Sequence, residues 1–362
     1  MTVNVGVDLH KTQFTVCMPK NGKQVFEVYP TNEEGYESFL KNVNRWHGTG
    51  KNVRVGVEST GNTRYFKNVM ERAGVGVTVI NTLKFKVVNE SVKKTDKHDA
   101  ATIAEFLEKD MLPESKLCSE TSEQLRRLLK VRKTLVRTTV VVKNQIHALL
   151  TAIGMEDAKG SLQSKKGRQK VLDALNERKN GLVVQPLFET INQLDENIKR
   201  IEKELEALVE NDKAVELLMT IPGCGKIGAW TIRAYTDDIK RFSSAKKYTS
   251  YTGLVPWVQN SNETIRHGKI TKRGPEELRT ALVQVVLGMR RSKKKTLHWR
   301  LMERYEAMKS AKGSGKSIIA TARKVATIIW VMLREKTEFD MTRMIDRKIV
   351  RKASLMREAS LN

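Results

Sequence analysis

Cysteine is scarce in this sequence and unpatterned. The 362 residues hold three, Cys17, Cys118 and Cys224, an odd and widely spaced set without a C-x-x-C pair, which speaks against a disulfide framework and predicts reduced thiols. The six histidines are equally scattered, with no His-x-x-x-His or Cys/His cluster, so a zinc site has little support. Long apolar runs are missing too. No window approaches the roughly 20 apolar residues of a membrane-spanning helix, and the opening stretch MTVNVGVDLHKTQF lacks the apolar core of a secretion signal. These absences predict a cytoplasmic protein with no membrane partner. Acidic residues are also in short supply. Asp and Glu number 41 against 66 Lys and Arg, a net charge of +25, so long-range forces favour a polyanionic partner, and nucleic acid is the leading candidate.

A chain of this length, 40% hydrophobic, is expected to fold as two or three units. In residues 1–120, VNVGVDL, FTVCM and KQVFEVY read as three successive strands, the last two joined through a hairpin signal at Asn21-Gly22. TNEEGYESFLKNVNRWH then reads as helix, NVRVGVE as a buried strand, TRYFKNVMERAG as helix and VGVTVIN as strand. The predicted order is three strands, helix, strand, helix, strand, helix, an α/β unit.

Residues 121–215 turn to long helices. Leu128, Leu135, Val142 and Leu149 recur every seven residues, and a flexible break is expected near 155–180, around AKGSLQSKKGRQK. A second helix beginning near Pro186 carries an a/d seam of the coiled-coil type at Leu187, Ile191, Leu194, Ile198, Ile201, Leu205 and Leu208. Pairing of the two as an antiparallel arm, ordinary core packing and association with a second copy all remain open. Residues 216–340 form a third, mainly helical unit. It contains a Gly-rich basic loop at 253–274 and helices at 275–292, 297–310 and 316–334, and residues 341–362 form a basic tail. AKGSGKS within this unit is not a phosphate-binding loop, because Ser310 stands where the motif needs Gly and no strand precedes it.

The stretch KKTDKHDAATIAEFL sets Asp96 and Asp99 three positions apart at a helix start, where they share one face and repel each other. The helix dipole relieves part of that repulsion. A hard divalent cation between the two explains them better, although Asp96 alone could be a helix cap. Asp8 ends the first strand on the face opposite Val3, Val5 and Val7, and Glu58 ends NVRVGVE. If those strands are neighbours, four carboxylates converge. Read singly, each acid is a cap or a solvated charge; together they predict a metal site.

VGVDLHKTQFTVCM, VGVESTGNTRYF and KKTDKHDAATIAEFL resemble the Asp, Glu, Asp-x-x-Asp blocks of the DEDD insertion-sequence transposases, bridge-RNA-guided recombinases with a RuvC-like, RNase H-type domain. TIPGCGKIGAWTI and YTGLVPWVQNSNETIRHGKITKRGPEELRTAL resemble the second, transposase domain of that family, so the likeness spans roughly residues 3–335. The resemblance implies Asp8, Glu58, Asp96 and Asp99 as ligands of Mg²⁺ (or Mn²⁺) and Ser261 as the nucleophile, with Asn262 standing where relatives carry Gly. It further implies donor and target DNA, a structured noncoding guide RNA, a homo-oligomer (dimer or tetramer) and a nucleoid-associated enzyme when DNA is bound. Strand cleavage would pass through a covalent phosphoserine.

Arg266, Lys269, Lys272 and Arg273 follow the serine in the same loop and would stabilise developing charge. Gly223, Gly225 and Lys226 form either a helix-hairpin-helix turn facing a phosphate or a simple packing turn. Lys130, Arg132, Lys133, Arg137 and Lys143, with Lys293, Lys294 and Lys295, are candidate phosphate contacts or merely a solvated face. Two other functions compete. A junction-resolvase-like nuclease would use water as nucleophile and form no adduct; a non-catalytic nucleic-acid scaffold would tolerate loss of the acids.

Overall fold

The computed structural model describes residues 2–345 except 21–22, 48–51, 89–94, 156–161, 178–180, 262–263, 293–295 and 297. It divides between Cys118 and Ser119 into two compact units.

The first unit runs β1 (Val3–Leu9), β2 (Gln13–Lys20), β3 (Lys23–Pro30), α1 (Glu33–His47), β4 (Val53–Glu58), α2 (Thr63–Arg72), β5 (Gly76–Ile80), α3 (Thr82–Val88) and α4 (Asp96–Glu108). The strands form one sheet in the order β3-β2-β1-β4-β5, with β2 antiparallel to both β1 and β3, and β4 and β5 parallel to β1. The order of elements is the one the periodicity predicts through β5, after which two helices, α3 and α4, stand where one was expected. The Asn21-Gly22 turn lies outside the described residues, although Lys20 pairs with Lys23 across it.

Period-two alternation divides the sheet into two faces. Val5, Val7, Phe14, Val16, Val55 and Val57 are buried against Tyr36, Phe39 and Val43 of α1 and Phe66 and Met70 of α2. The other face carries α4, whose Ala100 and Ala104 cluster with Cys17. That helix lies unusually close to the strands. A Cβ on Gly6 would stand 1.9 Å from the Ala100 carbonyl oxygen, and one on Gly56 would stand 2.8 Å from Ile103 Cγ2. Burial pushes the Cys17 thiol up to about 11, consistent with a reduced packing residue.

The second unit runs α5 (Glu120–Ala152), α6 (Lys165–Glu177), α7 (Gly181–Leu208), α8 (Lys213–Met219), α9 (Lys226–Thr236), α10 (Ala245–Tyr251), β6 (Pro256–Ser261), β7 (Thr264–Ile270), α11 (Glu276–Arg291), α12 (Arg300–Lys312) and α13 (Ser314–Glu335). Helices α5 and α7 pack antiparallel within the chain. Leu129 shares a cluster with Leu205, Ile146 shares one with Phe188, and between them Arg132 Nε donates to Glu202 Oε1 at 2.7 Å. Leu128, Leu135 and Leu149 are only half-buried, while Leu125, Leu129, Ile146 and Leu150 are fully buried. Packing against α7 at one end and α9 at the other turns the buried stripe by about one residue.

Two features of the arm correct the sequence reading. Part of the expected flexible break is helix α6, docked by Arg168, whose Nη2 donates to Asn192 Oδ1 at 2.9 Å and to Asp195 Oδ2 at 2.7 Å. Helix α7 also starts five residues before Pro186. The amide that proline lacks would have bonded the carbonyl of Leu182, a residue 85% exposed, so water can take its place.

The arm joins the rest of the unit through Asp237, a residue at φ 58° after α9. Its carboxylate accepts from Ser119 Oγ, the cap of α5, at 2.6 Å and from Ser122 Oγ, in the first turn of that helix, at 2.8 Å. Arg233 donates to the Asp237 carbonyl at 2.9 Å and to Asp212, the cap of α8, at 2.7 Å. Residues 253–274 are mostly a β-hairpin rather than a loop, its root tied by Thr271 N–H to Val255 O at 2.9 Å. Helix α13 follows α12, not a strand, which agrees with the exclusion of a phosphate-binding loop.

Two outcomes follow from this packing. Gly6→Ala is expected to destabilise the protein by about 3 kcal/mol, because the obstacle is helix backbone rather than a movable side chain. Gly61→Ala, in open space, is expected to leave the melting temperature unchanged, and calorimetry on the two variants checks the pair. Burial alone would raise the Asp237 carboxyl, but hydrogen bonds from Ser119 and Ser122 hold it below its ordinary value. Its stabilising contribution is therefore present above the unfolded pKa and is lost as pH falls through the depressed folded value. Asp237→Ala should lower the melting temperature at neutral pH, with the difference from wild type closing only in strong acid.

Candidate active site

Parallel pairing of Val7 with Val57 brings Asp8 and Glu58 out of adjacent strands side by side, at the carboxyl end of the sheet. Both lie on the face that Gly6 and Gly56 open to α4. Helix α4 begins at the same end. Thr95 is its cap, extended at φ −139° and ψ 145°, with Oγ1 accepting from His98 N–H at 3.2 Å. Asp96 is therefore the first helical residue and not the cap, and Asp99 lies one turn on.

The four carboxylates share one electrostatic neighbourhood. Burial raises the Asp8 pKa; His10 opposes the rise, and Asp96 and Asp99 add to it. Burial likewise raises Glu58, reinforced by Asp8 and Asp99 and opposed by Lys86. Bare negative charge is thus disfavoured here for two reasons, lost hydration and mutual repulsion, and a bound cation removes the second. Side-chain exposure runs from 16% at Asp8 to 50% at Asp96, so the cluster opens to solvent on the helix side. Among the described residues, Asp8 and Asp96 bring donor oxygens within 4.8 Å, while Glu58 and Asp99 are coupled to them through charge; partly exposed oxygen donors of this kind fit a hard divalent ion that keeps water or phosphate in its remaining positions.

A fifth side chain belongs to the cluster. His10 Nε2 lies 3.0 Å from Asp8 Oδ2 and 3.6 Å from Asp96 Oδ1, and these three residues place donor atoms within 4.8 Å of one another. Its backbone is held by Gln13, whose carbonyl accepts its N–H at 2.9 Å, and by Asn62, whose amide donates to its carbonyl at 2.9 Å. Thr60 Oγ1 in turn donates to Asn62 Oδ1 at 2.9 Å, and Thr63 Oγ1 donates to the Glu58 carbonyl at 2.7 Å. The segment STGNT after β4 thereby braces the ends of both acid-bearing strands. Neither His10 nor Asn62 stands out in a search for histidine clusters. The usable signal was the Asp-x-His spacing, since residues two apart on an extended chain share a face.

In the second unit, Ser261 is the last residue of β6, paired with Thr264 across the turn; Asn262 lies outside the described residues. Arg266, Lys269, Lys272 and Arg273 are exposed on or beside the hairpin. Trp257, 51% exposed, lies over Gly268, where a Cβ would come within 2.8 Å of the indole.

Other expected nucleic-acid contacts fare differently. Gly223, at φ 88°, faces the backbone of α11, with an added Cβ only 2.5 Å from Met289 N, so its role is packing. Gly225 is open and caps α9 without a side-chain hydrogen bond, leaving the first N–H groups of that helix on the surface. Lys226 pairs with Glu206, Arg132 with Glu202, and Lys133 lies 3.7 Å from Glu277 and 3.8 Å from Glu276. A phosphate would have to compete with these carboxylates. Lys130 and Arg137 are exposed on α5, Lys143 donates to Gln163 at 3.3 Å, and Lys293, Lys294 and Lys295 lie outside the described residues.

Asp8 and Glu58 bind their protons more tightly folded than unfolded. Their contribution therefore favours the fold below the unfolded pKa and is lost as pH rises through the raised folded value. Asp8→Asn should accordingly raise the melting temperature of the metal-free protein at neutral pH, by about 1–2 °C. The same substitution should abolish the further rise that Mg²⁺ or Mn²⁺ gives the wild type. Differential scanning fluorimetry with and without each ion checks both halves.

Two family models match this chain. A DEDD-type transposase model covers residues 5–155, including the four acids, and the model described as the IS116/IS110/IS902 transposase family covers residues 215–301, including the hairpin. Similar full-length relatives include the transposase for insertion sequence element IS1111A of Coxiella burnetii, 27% identical over 87% of this chain and 88% of that protein. The transposase for insertion sequence element IS1328 of Yersinia enterocolitica is 28% identical over 92% of this chain and 98% of its own length. The pilin gene-inverting protein of Moraxella bovis is 25% identical over 93% and 97%. With the acid blocks and the hairpin region matched in order by two models of one family, the chain belongs to the IS110-family transposases.

Proposed function

We propose that this protein cuts and rejoins DNA strands by a metal-assisted serine route, directed to its sites by a structured guide RNA. The observation that carries the reading is the gathering of Asp8, Glu58, Asp96 and Asp99 from three segments into one coupled, partly buried cluster. Strand order and the placement of acids at the carboxyl end of the central strands support an RNase H-type reading of the first unit. Mg²⁺ or Mn²⁺ held by these acids would supply Lewis-acid neutralisation of a DNA phosphate.

Ser261 supplies the nucleophile. Its hydroxyl oxygen bonds to phosphorus as the P–O3′ bond breaks, its proton is lost to a base, and the departing 3′-oxygen takes a proton. A phosphoserine and a free 3′-hydroxyl result. Attack of a different 3′-hydroxyl on that phosphoserine reverses the step and joins new strands with no nucleotide cofactor, since the ester is never hydrolysed. That reversibility suits a family whose relatives include both transposases and a gene-inverting protein. Arg266, Lys269, Lys272 and Arg273 hold the phosphate backbone near the hairpin, and Trp257 offers a ring face to an unstacked base. The net charge of +25 favours polyanions such as DNA and RNA, and a dimer or tetramer would bring two duplexes together.

Incubation of the protein with Mg²⁺, its RNA and cognate DNA should yield a denaturant-resistant protein–DNA species. That species should be absent from Ser261→Ala and reduced at least ~100-fold in Asp99→Ala, in line with losses on removing key transition-state charge stabilisers. Cleavage without any adduct, insensitive to Ser261→Ala, would instead identify a water-using nuclease.

A further inference from the structure

Among the described residues, the imidazole of His10 supplies the histidine nitrogen that shares ligating distance with the acid cluster, and the family resemblance gives it no role. We infer that His10 is a metal ligand of this protein, binding through Nε2 to the ion held by Asp8 and Asp96. The inference rests on the acid cluster being a metal site at all, as proposed above.

The geometry is specific. Nε2 stands between two carboxylate oxygens, 3.0 Å from one and 3.6 Å from the other. An ion coordinated at roughly 2.1–2.2 Å separates neighbouring donors by about 3 Å; here one pair is at 3.0 Å, a second at 3.6 Å and all three lie within 4.8 Å, so Asp96 has only a short distance to close on a shared ion. A surface salt bridge needs no such precision in the backbone. Here, however, both backbone polar groups of His10 are bonded, the carbonyl to an Asn62 amide whose own oxygen is fixed by Thr60. These bonds fix the backbone from which the ring projects toward Asp8 and Asp96. The ring is half-exposed, so an ion arriving from solvent meets Nε2 without displacing a packed side chain. A neutral ring with its proton on Nδ1 presents the Nε2 lone pair to the ion, which takes over the neutralisation of Asp8 that the Nε2–H provides without it.

The consequence is one of selectivity. Four carboxylates alone form a hard, all-oxygen site suited to Mg²⁺; one imidazole in the inner sphere shifts preference toward Mn²⁺ and other first-row ions, which accept nitrogen more readily. His10 would thus set which ion the enzyme uses.

Mn²⁺ is the probe. On wild-type full-length protein, pulsed EPR of bound Mn²⁺ should show ¹⁴N modulation, which should vanish in His10→Ala and His10→Asn. Mn²⁺ affinity by EPR titration should fall about 10-fold or more in both variants, with Mg²⁺ affinity by calorimetry falling less. Unchanged melting temperatures of the metal-free variants would show that the fold persists; if one variant melts early, the other carries the comparison. Mn²⁺ bound without nitrogen modulation, or bound as tightly or more tightly by His10→Ala, overturns the assignment and leaves His10 a counter-charge expelled by the ion. Asp8→Asn separates the two levels: Mn²⁺ binding that survives this substitution sinks the acid site itself, whereas binding that disappears upholds it whatever His10 does.

Discussion

The close approach of one helix to two glycines holds this structure's chemistry in place. Gly6 and Gly56 lack side chains on the sheet face that carries Asp8 and Glu58 two residues later, and α4 settles into the space with Ala100 and Ile103 in near contact with the strands. Any Cβ at Gly6 would meet helix backbone, which has no rotamer by which to yield. Helix and strands are thereby fixed at a spacing that delivers Asp96 and Asp99 to the ends of β1 and β4. The acids are positioned by packing several residues away from them.

Charge then works against that packing. The fold draws like charges together and partly removes them from water, and Asp8 and Glu58 bear the cost as carboxyls that hold their protons more firmly than usual. Two neighbouring side chains, His10 at Asp8 and Lys86 at Glu58, soften the repulsion. A cluster that costs stability without an ion is one whose retention makes sense only through what it binds, the usual trade between stability and function at an active site.

The large positive charge is distributed less uniformly than its sum suggests. Arg132, Lys133 and Lys226 lie against carboxylates of their own chain, and Arg168 is buried as a clamp on the arm. The exposed cations of the hairpin region, with Trp257 among them, are better placed for a polyanion. Gly223 illustrates the same lesson. A Pro-Gly-x-Gly turn is compatible with phosphate contact or with tight packing, and contact with the α11 backbone decides for packing at Gly223 while leaving Gly225 open.

Local periodicity made the strand order of the first unit and its helices other than α3, the apolar faces and the four acids legible, because alternation and capping are short-range properties of consecutive residues. Ser261 was legible only through its motif, and 253–274 read as loop because Gly and charge hide a strand pairing that forms across a turn. Helix α6, the proline inside α7 and the shifted seam of α5 were out of reach for a related reason: each is decided by what a distant segment presses against it. His10 shows the limit most plainly. The Asp-x-His spacing places it beside Asp8, but the rest of its character comes from Asp96, brought within 3.6 Å by a helix that begins some 85 residues later.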